Sequence, residues 1–184
     1  MRLKKQKYKV PLIKNTFINE KATKKALVDF INKTDFLSMG KQCKEFERDF
    51  AIAQGRKHAI LFNSGGSANL ALIQALKNIG KLRQGDNIGF SALTWSTNVM
   101  PLIQLGFNVV PIDCIKTTLN AHADPTIEAL EKNNCKAFFI TNVVGLAGDL
   151  GKLKKLCKKK KIILIEDNCE SLGTELHDGK TGNF

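Results

Sequence analysis

Two amphipathic stretches open the chain. Residues 20–32 place Leu27, Phe30 and Ile31 three to four positions apart, and residues 43–54 repeat that pattern. Apolar residues at this spacing share one face of a helix. The pattern therefore predicts two amphipathic helices.

Strand-like and helical patterns then alternate. An apolar run at residues 58–62 predicts a first strand, which leads into Gly65-Gly66 and a helical pattern over residues 67–79. Further strands are predicted at residues 87–90, 108–112, 137–143 and 162–165, and further helices at residues 97–105, 125–132 and 150–160. Nearly continuous apolar strands that alternate with helices are typical of a buried parallel sheet. The predicted fold class is α/β: a three-layer, mostly parallel sheet with helices on both faces.

The positive charge raises the possibility of nucleic-acid binding. The 184 residues include 29 Lys and Arg against 17 Asp and Glu, a formal charge of +12, and clustered cations release counterions from phosphate backbones. The basic residues gather at residues 2–9, 21–25 and 152–161, and lysine predominates. Sites that read bases favour bidentate arginine and stacking aromatics instead. Solvated lysine faces are therefore favoured, and a basic nucleic-acid-binding α/β module is the weaker alternative.

Cysteine usage and hydropathy indicate the compartment. The five cysteines form no CxxC pair and no Cys/His cluster with metal-ligand spacing: Cys43, Cys114, Cys135, Cys157 and Cys169. They predict reduced, mostly buried thiols and no metal site. No apolar segment follows the basic start, and the longest apolar stretch, residues 99–112, is too short to span a bilayer. A cytoplasmic protein without membrane contact is expected.

Three polar clusters follow predicted strands, at residues 63–69, 91–98 and 166–171. In open α/β sheets, ligands bind outside the carboxyl ends of the strands, where loops lead into the next helix. These clusters are therefore the candidate functional residues.

The first cluster predicts a phosphate site. Gly65 and Gly66 allow the backbone to approach a ligand, and Ser67, Ala68 and Asn69 are expected to present free N–H groups at a helix start. A helix start attracts an anion by on the order of 0.3–2 kcal/mol. The alternative is that Ser67 only caps the helix. The segment matches neither the Walker pattern nor GxGxxG, which disfavours nucleotide binding through those motifs.

The other two clusters each contain one distinctive residue. Trp95 stands among small hydroxyl residues, where its ring can stack on a planar ligand, although packing in the protein interior is the alternative. Asp167 follows an apolar strand. It is either a helix cap or loop residue, or a carboxylate that keeps a pyridine nitrogen protonated.

Taken in order, several pieces of the chain resemble the DegT/StrS family of sugar-nucleotide aminotransferases and related dehydratases. That family has the aspartate-aminotransferase fold, the large domain of which is PLP fold type I, and uses pyridoxal phosphate (PLP). The pieces are SMGKQCKEFERDFA, NSGGSANLAL, GDNIGFSALTWSTN, GFNVVPID, IEDNCESLG and GKTGNF. The resemblance extends from about residue 11 to residue 184.

The resemblance implies a cofactor, either PLP or its pyridoxamine form (PMP). Ser67 and Ala68 match the residues that bind the cofactor phosphate, with Gly66 in the same turn. Trp95 matches the aromatic that stacks on the ring, and Asp167 matches the carboxylate that pairs with the ring nitrogen. In addition, Glu170 falls where the family places a polar residue near the ring hydroxyl, and glutamate there is associated with the branch that contains dehydratases.

The resemblance also implies a reaction: transfer of an amino group from a donor such as glutamate onto a nucleotide-linked keto-sugar. This chemistry belongs to surface polysaccharide or lipopolysaccharide biosynthesis and is carried out by homodimers. A PMP-dependent sugar-nucleotide 3-dehydratase is the alternative within the family. The Schiff-base position, Lys in aminotransferases and His in dehydratases, is expected beyond residue 184, so the catalytic residue is unknown.

The resemblance finally implies a domain organisation. Residues 1–15 are expected to form an N-terminal arm, and residues 16–184 an incomplete PLP-binding large domain without the C-terminal small domain. An inactive gene fragment is the remaining alternative.

Overall fold

A computed structural model describes residues 17–184. The chain divides into two compact units, Met1–Lys44 and Glu45–Phe184. The expected arm at residues 1–15 lies outside the described residues and stays a prediction.

The described part of the first unit is dominated by α1, Glu20–Lys33. The helix confirms the periodicity prediction, and its end is closed by the Thr34 N–H, which donates to the Phe30 carbonyl at 3.0 Å. No residue of α1 is buried. Its apolar positions Leu27 and Ile31 are exposed, so within this unit the amphipathic pattern produces a helix without a covered face.

Helix α2, Lys41–Gln54, begins at the end of the first unit and continues into the second. In the second unit, the rings of Phe46 and Phe50 stack with their centroids 5.6 Å apart. The four-residue spacing of these rings places them on one helix face, as the sequence pattern predicts.

The strand predicted at residues 58–62 is wrong, because these residues belong to no strand of the structure. The Leu61 N–H donates to the Glu47 carboxylate at 2.7 Å rather than to a neighbouring strand, and 73% of Ile60 is exposed. Extended backbone becomes a strand only when another strand pairs with it, and the described residues offer it none.

The second unit is built around a four-stranded parallel sheet in the order β2-β1-β3-β4. The strands are β1 Asn87–Ser91, β2 Asn108–Ile112, β3 Cys135–Thr141 and β4 Ile163–Asp167. The helices are α3 Gly65–Asn78, α4 Ser96–Gln104, α5 Ala123–Lys132 and α6 Leu150–Lys160. A 3₁₀ turn at Val143–Gly145 and a hairpin of β5 Glu175–Leu176 with β6 Gly179–Lys180 complete the unit, and the hairpin is absent from the sequence prediction.

The helices cover both faces of the sheet, which confirms the predicted three-layer α/β class. On one face, Ile73 of α3 and Leu102 of α4 pack with Phe139 of β3. On the other face, Leu130 of α5 and Leu153 of α6 form a core that also holds Phe138 and Ile140 of β3. Successive residues of β3 point to opposite faces, so its two covered faces require consecutive apolar residues, which run from Ala137 to Ile140.

The close packing between β1 and α5 depends on a glycine. A Cβ atom added at Gly89 would lie 2.3 Å from Leu130 Cδ2 and 3.3 Å from Phe138 Cδ2. A side chain at this position would require the Leu130 side chain to move. Packing against the helix, not backbone conformation, therefore determines the residue at this position.

The last residues lie against the end of β4. Glu166 accepts hydrogen bonds from the N–H groups of Gly182 and Phe184, both at 2.9 Å. Arg56 donates to the carbonyls of the same two residues at 2.8 and 3.1 Å. The first carboxylate of the acidic cluster is therefore used to hold the chain's final segment.

Candidate cofactor site

Hydrogen bonds connect the carboxyl ends of three neighbouring strands. The Ser91 hydroxyl at the end of β1 accepts from the Thr141 N–H at the end of β3, at 3.0 Å. The Asn142 N–H donates in turn to the carbonyl of Asp167, the last residue of β4, at 3.1 Å. The polar clusters after β1 and β4 therefore meet at one edge of the sheet, as expected for parallel strands.

The start of α3 lies two residues earlier than predicted. Ser64 is the N-cap, and its hydroxyl accepts from the Ser67 N–H at 3.2 Å. The Ala68 N–H donates to the Ser64 carbonyl at 3.0 Å. The expectation of free N–H groups at Ser67, Ala68 and Asn69 is therefore wrong, as is the alternative in which Ser67 is the cap, because all three positions already lie inside the helix.

The groups that remain available for an anion belong to the glycines. In an α-helix, the first N–H groups have no intrahelical acceptor, which here applies to Gly65 and Gly66. Neither glycine has a positive φ, so the backbone conformation does not require glycine at either position. Glycine within a helix also lowers stability by about 0.5–1 kcal/mol relative to alanine. A Cβ at Gly65 would meet nothing within 4 Å. The missing side chains leave the N–H groups open to a ligand, with the Ser67 hydroxyl beside them.

Trp95 is an exposed side chain at the start of α4. It is the N-cap residue, and 62% of it is exposed. The alternative in which the ring packs in the interior is therefore wrong. The indole N–H donates to Glu170 Oε1 at 3.2 Å, which orients a ring that is otherwise free of the core.

Glu170 connects Trp95 to a strained turn. Its other oxygen, Oε2, accepts from the Val144 N–H at 2.6 Å. Val144 has φ 48° and ψ 28°, a left-handed conformation that costs a β-branched residue on the order of 1–3 kcal/mol. A cleft of about 330 Å³ lies among Trp95, Glu170, Val144 and their neighbours.

Asp167 ends β4, and no helix begins there, so the helix-cap alternative is wrong. Its Oδ1 atom accepts from the Cys169 N–H at 3.0 Å. Its Oδ2 atom accepts from the side-chain amides of Asn69, at 3.1 Å, and Asn98, at 2.8 Å. The carboxylate is thus held by three neutral donors.

These groups form one site. The Asn69 amide also donates to the Thr97 carbonyl at 3.2 Å, and a Cβ at Gly66 would lie 3.6 Å from Thr97 Cγ2. The start of α3, the start of α4 and the Asp167 carboxylate are therefore adjacent. Chemically, the arrangement offers anion-binding N–H groups, a flat aromatic face and a carboxylate that can pair with a cationic N–H.

Comparison with known proteins assigns this chain to a protein family. Residues 18–184 match the profile described as the DegT/DnrJ/EryC1/StrS aminotransferase family. The chain belongs to this family. The resemblance predicted from its sequence pieces is thereby confirmed.

The relatives that this chain resembles include a sugar-nucleotide dehydratase and a transaminase. GDP-4-keto-6-deoxy-D-mannose 3-dehydratase of Yersinia pseudotuberculosis is 35% identical over 153 residues, which are 82% of this chain and 39% of that protein. A transaminase of Helicobacter pylori, named for UDP-4-amino-4,6-dideoxy-N-acetyl-beta-L-altrosamine, is 28% identical over 90% of this chain and 43% of its own. The chain therefore spans about two fifths of the length of these relatives.

A solved structure of the family has the same fold. The Escherichia coli GDP-4-keto-6-deoxy-D-mannose-3-dehydratase with bound hydrated PLP superposes with a TM-score of 0.81 at 33% identity. The match covers 94% of this chain and 44% of that structure. The predicted partial large domain of PLP fold type I is consistent with this similarity, and the fold class itself is confirmed.

Several polar residues of this family member's site were missed by sequence reasoning. Asn69 and Asn98 stand in the predicted clusters, but their contact with Asp167 was not foreseen. Thr141 and Asn142 are both buried. Thr141 ends β3, its hydroxyl lies 2.7 Å from the Thr94 hydroxyl, and Asn142 follows the strand. The strand was predicted to run to residue 143, so both residues were placed inside it, and only its true end would have marked them as a polar cluster.

The five cysteines are free thiols. The prediction that most of them are buried is wrong, because only Cys135 and Cys157 are buried, Cys43 and Cys114 are half-buried, and Cys169 is exposed beside Asp167. Burial raises the pKa of Cys157 to about 11. Burial first, and then the Asp167 charge, raises the pKa of Cys169.

Over residues 17–184, no three His, Cys, Asp or Glu side chains are grouped as metal ligands would be. None of the helices in the same range has the length and apolar character needed to cross a membrane.

Proposed function

We propose that this chain forms the PLP- or PMP-binding part of an enzyme that acts on a nucleotide-linked keto-sugar. The observation that carries the proposal is the Asp167 carboxylate, held by amide donors directly beside the open start of α3. The activity belongs to the whole protein, because the chain spans only 39% of its Yersinia relative.

The start of α3 fits a phosphate group. Gly65 and Gly66 supply N–H groups without intrahelical acceptors, and the Ser67 hydroxyl can donate a further hydrogen bond. Ala68 follows within the same turn, and its N–H is already used by the helix. We propose that Gly66 and Ser67 bind the phosphate directly and that Ala68 keeps the turn small.

The Asp167 carboxylate fits a protonated pyridine nitrogen. When bound, the cofactor supplies an electron-withdrawing ring that stabilises negative charge developing on the substrate. Asp167 would hold the proton on the ring nitrogen through a charge-assisted hydrogen bond. Trp95 would stack on the ring, while Glu170 orients the indole and would lie near the ring hydroxyl.

Two reactions are compatible with this site. The resemblance gives amino transfer from a donor such as glutamate, and its alternative is removal of the sugar 3-hydroxyl. The dehydratase relatives are more similar to this chain than the transaminase, at 35% and 36% against 28% identity. This difference, together with Glu170, favours the dehydratase. The two are separated by supplying the whole protein with PMP and a GDP-linked 4-keto-sugar and analysing the sugar product by mass spectrometry. Amino transfer replaces the keto oxygen with nitrogen, whereas the dehydratase reaction removes the 3-hydroxyl oxygen and adds no nitrogen.

Further aspects rest on the family resemblance alone. We propose that the whole protein is a cytoplasmic homodimer, that residues 1–15 form an arm, and that residues 16–184 form part of the large domain. Sedimentation of the whole protein tests the dimer: a monomer at micromolar concentration would contradict it.

The cofactor site is tested by the fluorescence of Trp95, the one tryptophan of the chain. Titration with PMP is expected to quench this fluorescence to saturation, because the ring would stack on the indole. Pyridoxamine, which lacks the phosphate, serves as the matched ligand and is expected to bind at least about tenfold more weakly, since it cannot use the helix start. Equal quenching by both ligands, or none by either, would refute the proposal.

A variant locates the phosphate. Ser67→Asp places a negative charge at the start of α3 and is expected to abolish PMP binding by repulsion, whereas Ser67→Ala removes only one hydroxyl and is expected to weaken it by about tenfold. Asn78→Asp, at the far end of the same helix, is the control for charge alone. Retained affinity in Ser67→Asp would place the phosphate elsewhere.

A further inference from the structure

We infer that Asn98 and Asn69 are positioning residues, which hold the Asp167 carboxylate in the orientation needed to pair with a cationic ring N–H. The inference rests on the proposed function and deepens it. Both amides converge on one atom, Asp167 Oδ2, while Oδ1 is engaged by the Cys169 N–H.

The burial of Asn98 supports this role. Asn98 is 1% exposed, and its own Oδ1 atom has no hydrogen-bond partner among the described residues. A buried polar atom without a partner destabilises the fold. An asparagine therefore occupies a place where an apolar residue would satisfy packing better, and the hydrogen bond that its side chain makes goes to Asp167.

The orientation of the amide follows from its partner. An ionised carboxylate only accepts hydrogen bonds, so the NH₂ group of Asn98 must face Asp167 and its oxygen must face away. The opposite orientation would set two acceptors against each other in a buried position. The unpartnered oxygen is therefore a consequence of the contact with Asp167.

Neutral donors suit a carboxylate that must keep its charge for a ligand. No Lys, Arg or His within residues 17–184 forms an ion pair with Asp167. A cation there would compensate the charge and compete with a ring N–H for the same oxygens. Amides restrict the carboxylate's rotation and leave its charge available.

Asn69 of α3 contacts both Asp167 and the start of α4. Its amide group donates to Asp167 and also to the Thr97 carbonyl in the first turn of α4. Asn69 itself lies in α3, two residues after Ser67. Asn69 thus links the carboxylate directly to the helix that carries the phosphate-binding turn.

The test compares two ligands in each variant. The probes are PMP and its 1-deaza analogue, in which a C–H replaces the ring nitrogen and cannot pair with Asp167. The wild-type chain is expected to prefer PMP by about tenfold or more, as a charge-assisted hydrogen bond would give. Asn98→Ala and Asn69→Ala are each expected to reduce this preference to about threefold or less, with the affinity for the analogue nearly unchanged.

The ratio separates positioning from general damage. A loosened fold would lower the affinity for both ligands by the same factor and leave the preference for PMP intact. Such a result in both variants would overturn the inference. Asn78→Ala, on the exposed face of α3, is the matched control and should retain the wild-type ratio. If Asn98→Ala does not fold, as judged by circular dichroism, Asn69→Ala decides alone.

The outcomes also distinguish the two proposals. A wild-type chain that binds neither ligand, or binds both equally, would refute the proposed cofactor site and the positioning role with it. A wild-type preference that survives in the folded variants would refute only the positioning role.

Discussion

Replacing Asp167 with asparagine isolates the charge of the carboxylate from its shape. Three donors, from Asn69, Asn98 and Cys169, meet the two oxygens of Asp167. An asparagine has one oxygen and therefore cannot accept from both sides. We expect that oxygen to face the two asparagine amides, because the Cys169 N–H is exposed and can bond to water instead. The cost to folding should then be about 1 kcal/mol.

The effect on ligand binding should be larger than the effect on folding. A hydrogen bond to a charged group contributes about 1.5–3 kcal/mol against about 0.5–1.5 kcal/mol for a neutral one. Loss of the charge should therefore weaken PMP binding by about 1–1.5 kcal/mol, or about tenfold. Titration monitored through Trp95 fluorescence measures this change directly.

The control is Asp124→Asn on α5, where the carboxylate pairs with Lys152 on the surface. This variant should bind PMP as the wild type does. The reasoning fails if Asp167→Asn, with its fold intact by circular dichroism, binds PMP within about twofold of the wild type, a change too small for loss of a charge-assisted bond.

Three further predictions concern packing and thiol chemistry. Gly89→Ala should lower the free energy of unfolding in urea by about 1–3 kcal/mol through overpacking against Leu130, and Leu130→Ala should partly restore it; additive losses would contradict the contact. Since burial raises the pKa of Cys157 to about 11 from 9.0, the unfolded thiol ionises first, so stability should fall between about pH 9 and pH 11, with a smaller slope in Cys157→Ala. Asp167→Asn should lower the pKa of Cys169 and accelerate its reaction with iodoacetamide at about pH 8; an unchanged rate would show that the Asp167 charge does not reach the thiol.

The secondary structure of the sheet unit follows largely from the sequence. Strands with two buried faces carry consecutive apolar residues, and β3 shows this pattern from Ala137 to Ile140. In a helix with one covered face, buried apolar residues recur every three to four positions. In α6 these residues are Leu150, Leu153 and Cys157. Both signals are local, so a single sequence carries them.

The approximate location of the site also follows from the sequence. Parallel strands bring their carboxyl ends to one edge, and the polar clusters that contain Trp95 and Asp167 stand directly after β1 and β4. Strand order was not needed for this conclusion, because every strand of a parallel sheet ends at the same edge.

Pairing between distant residues was decided by the tertiary structure alone. Residues 58–62 have the composition of a strand, but the described residues give them no neighbour, and hydrogen bonding between strands is not a local property. Asn69 and Asn98 lie 98 and 69 residues from Asp167 along the chain. An asparagine in a first turn has the same local signature whether it faces solvent or a carboxylate. The sequence by itself thus determined the helices and the four strands of the parallel sheet, and at which edge of that sheet polar groups gather. Only the packing of α3 and α4 against the sheet decided which of those groups touch, because that contact depends on the positions of three separate elements at once.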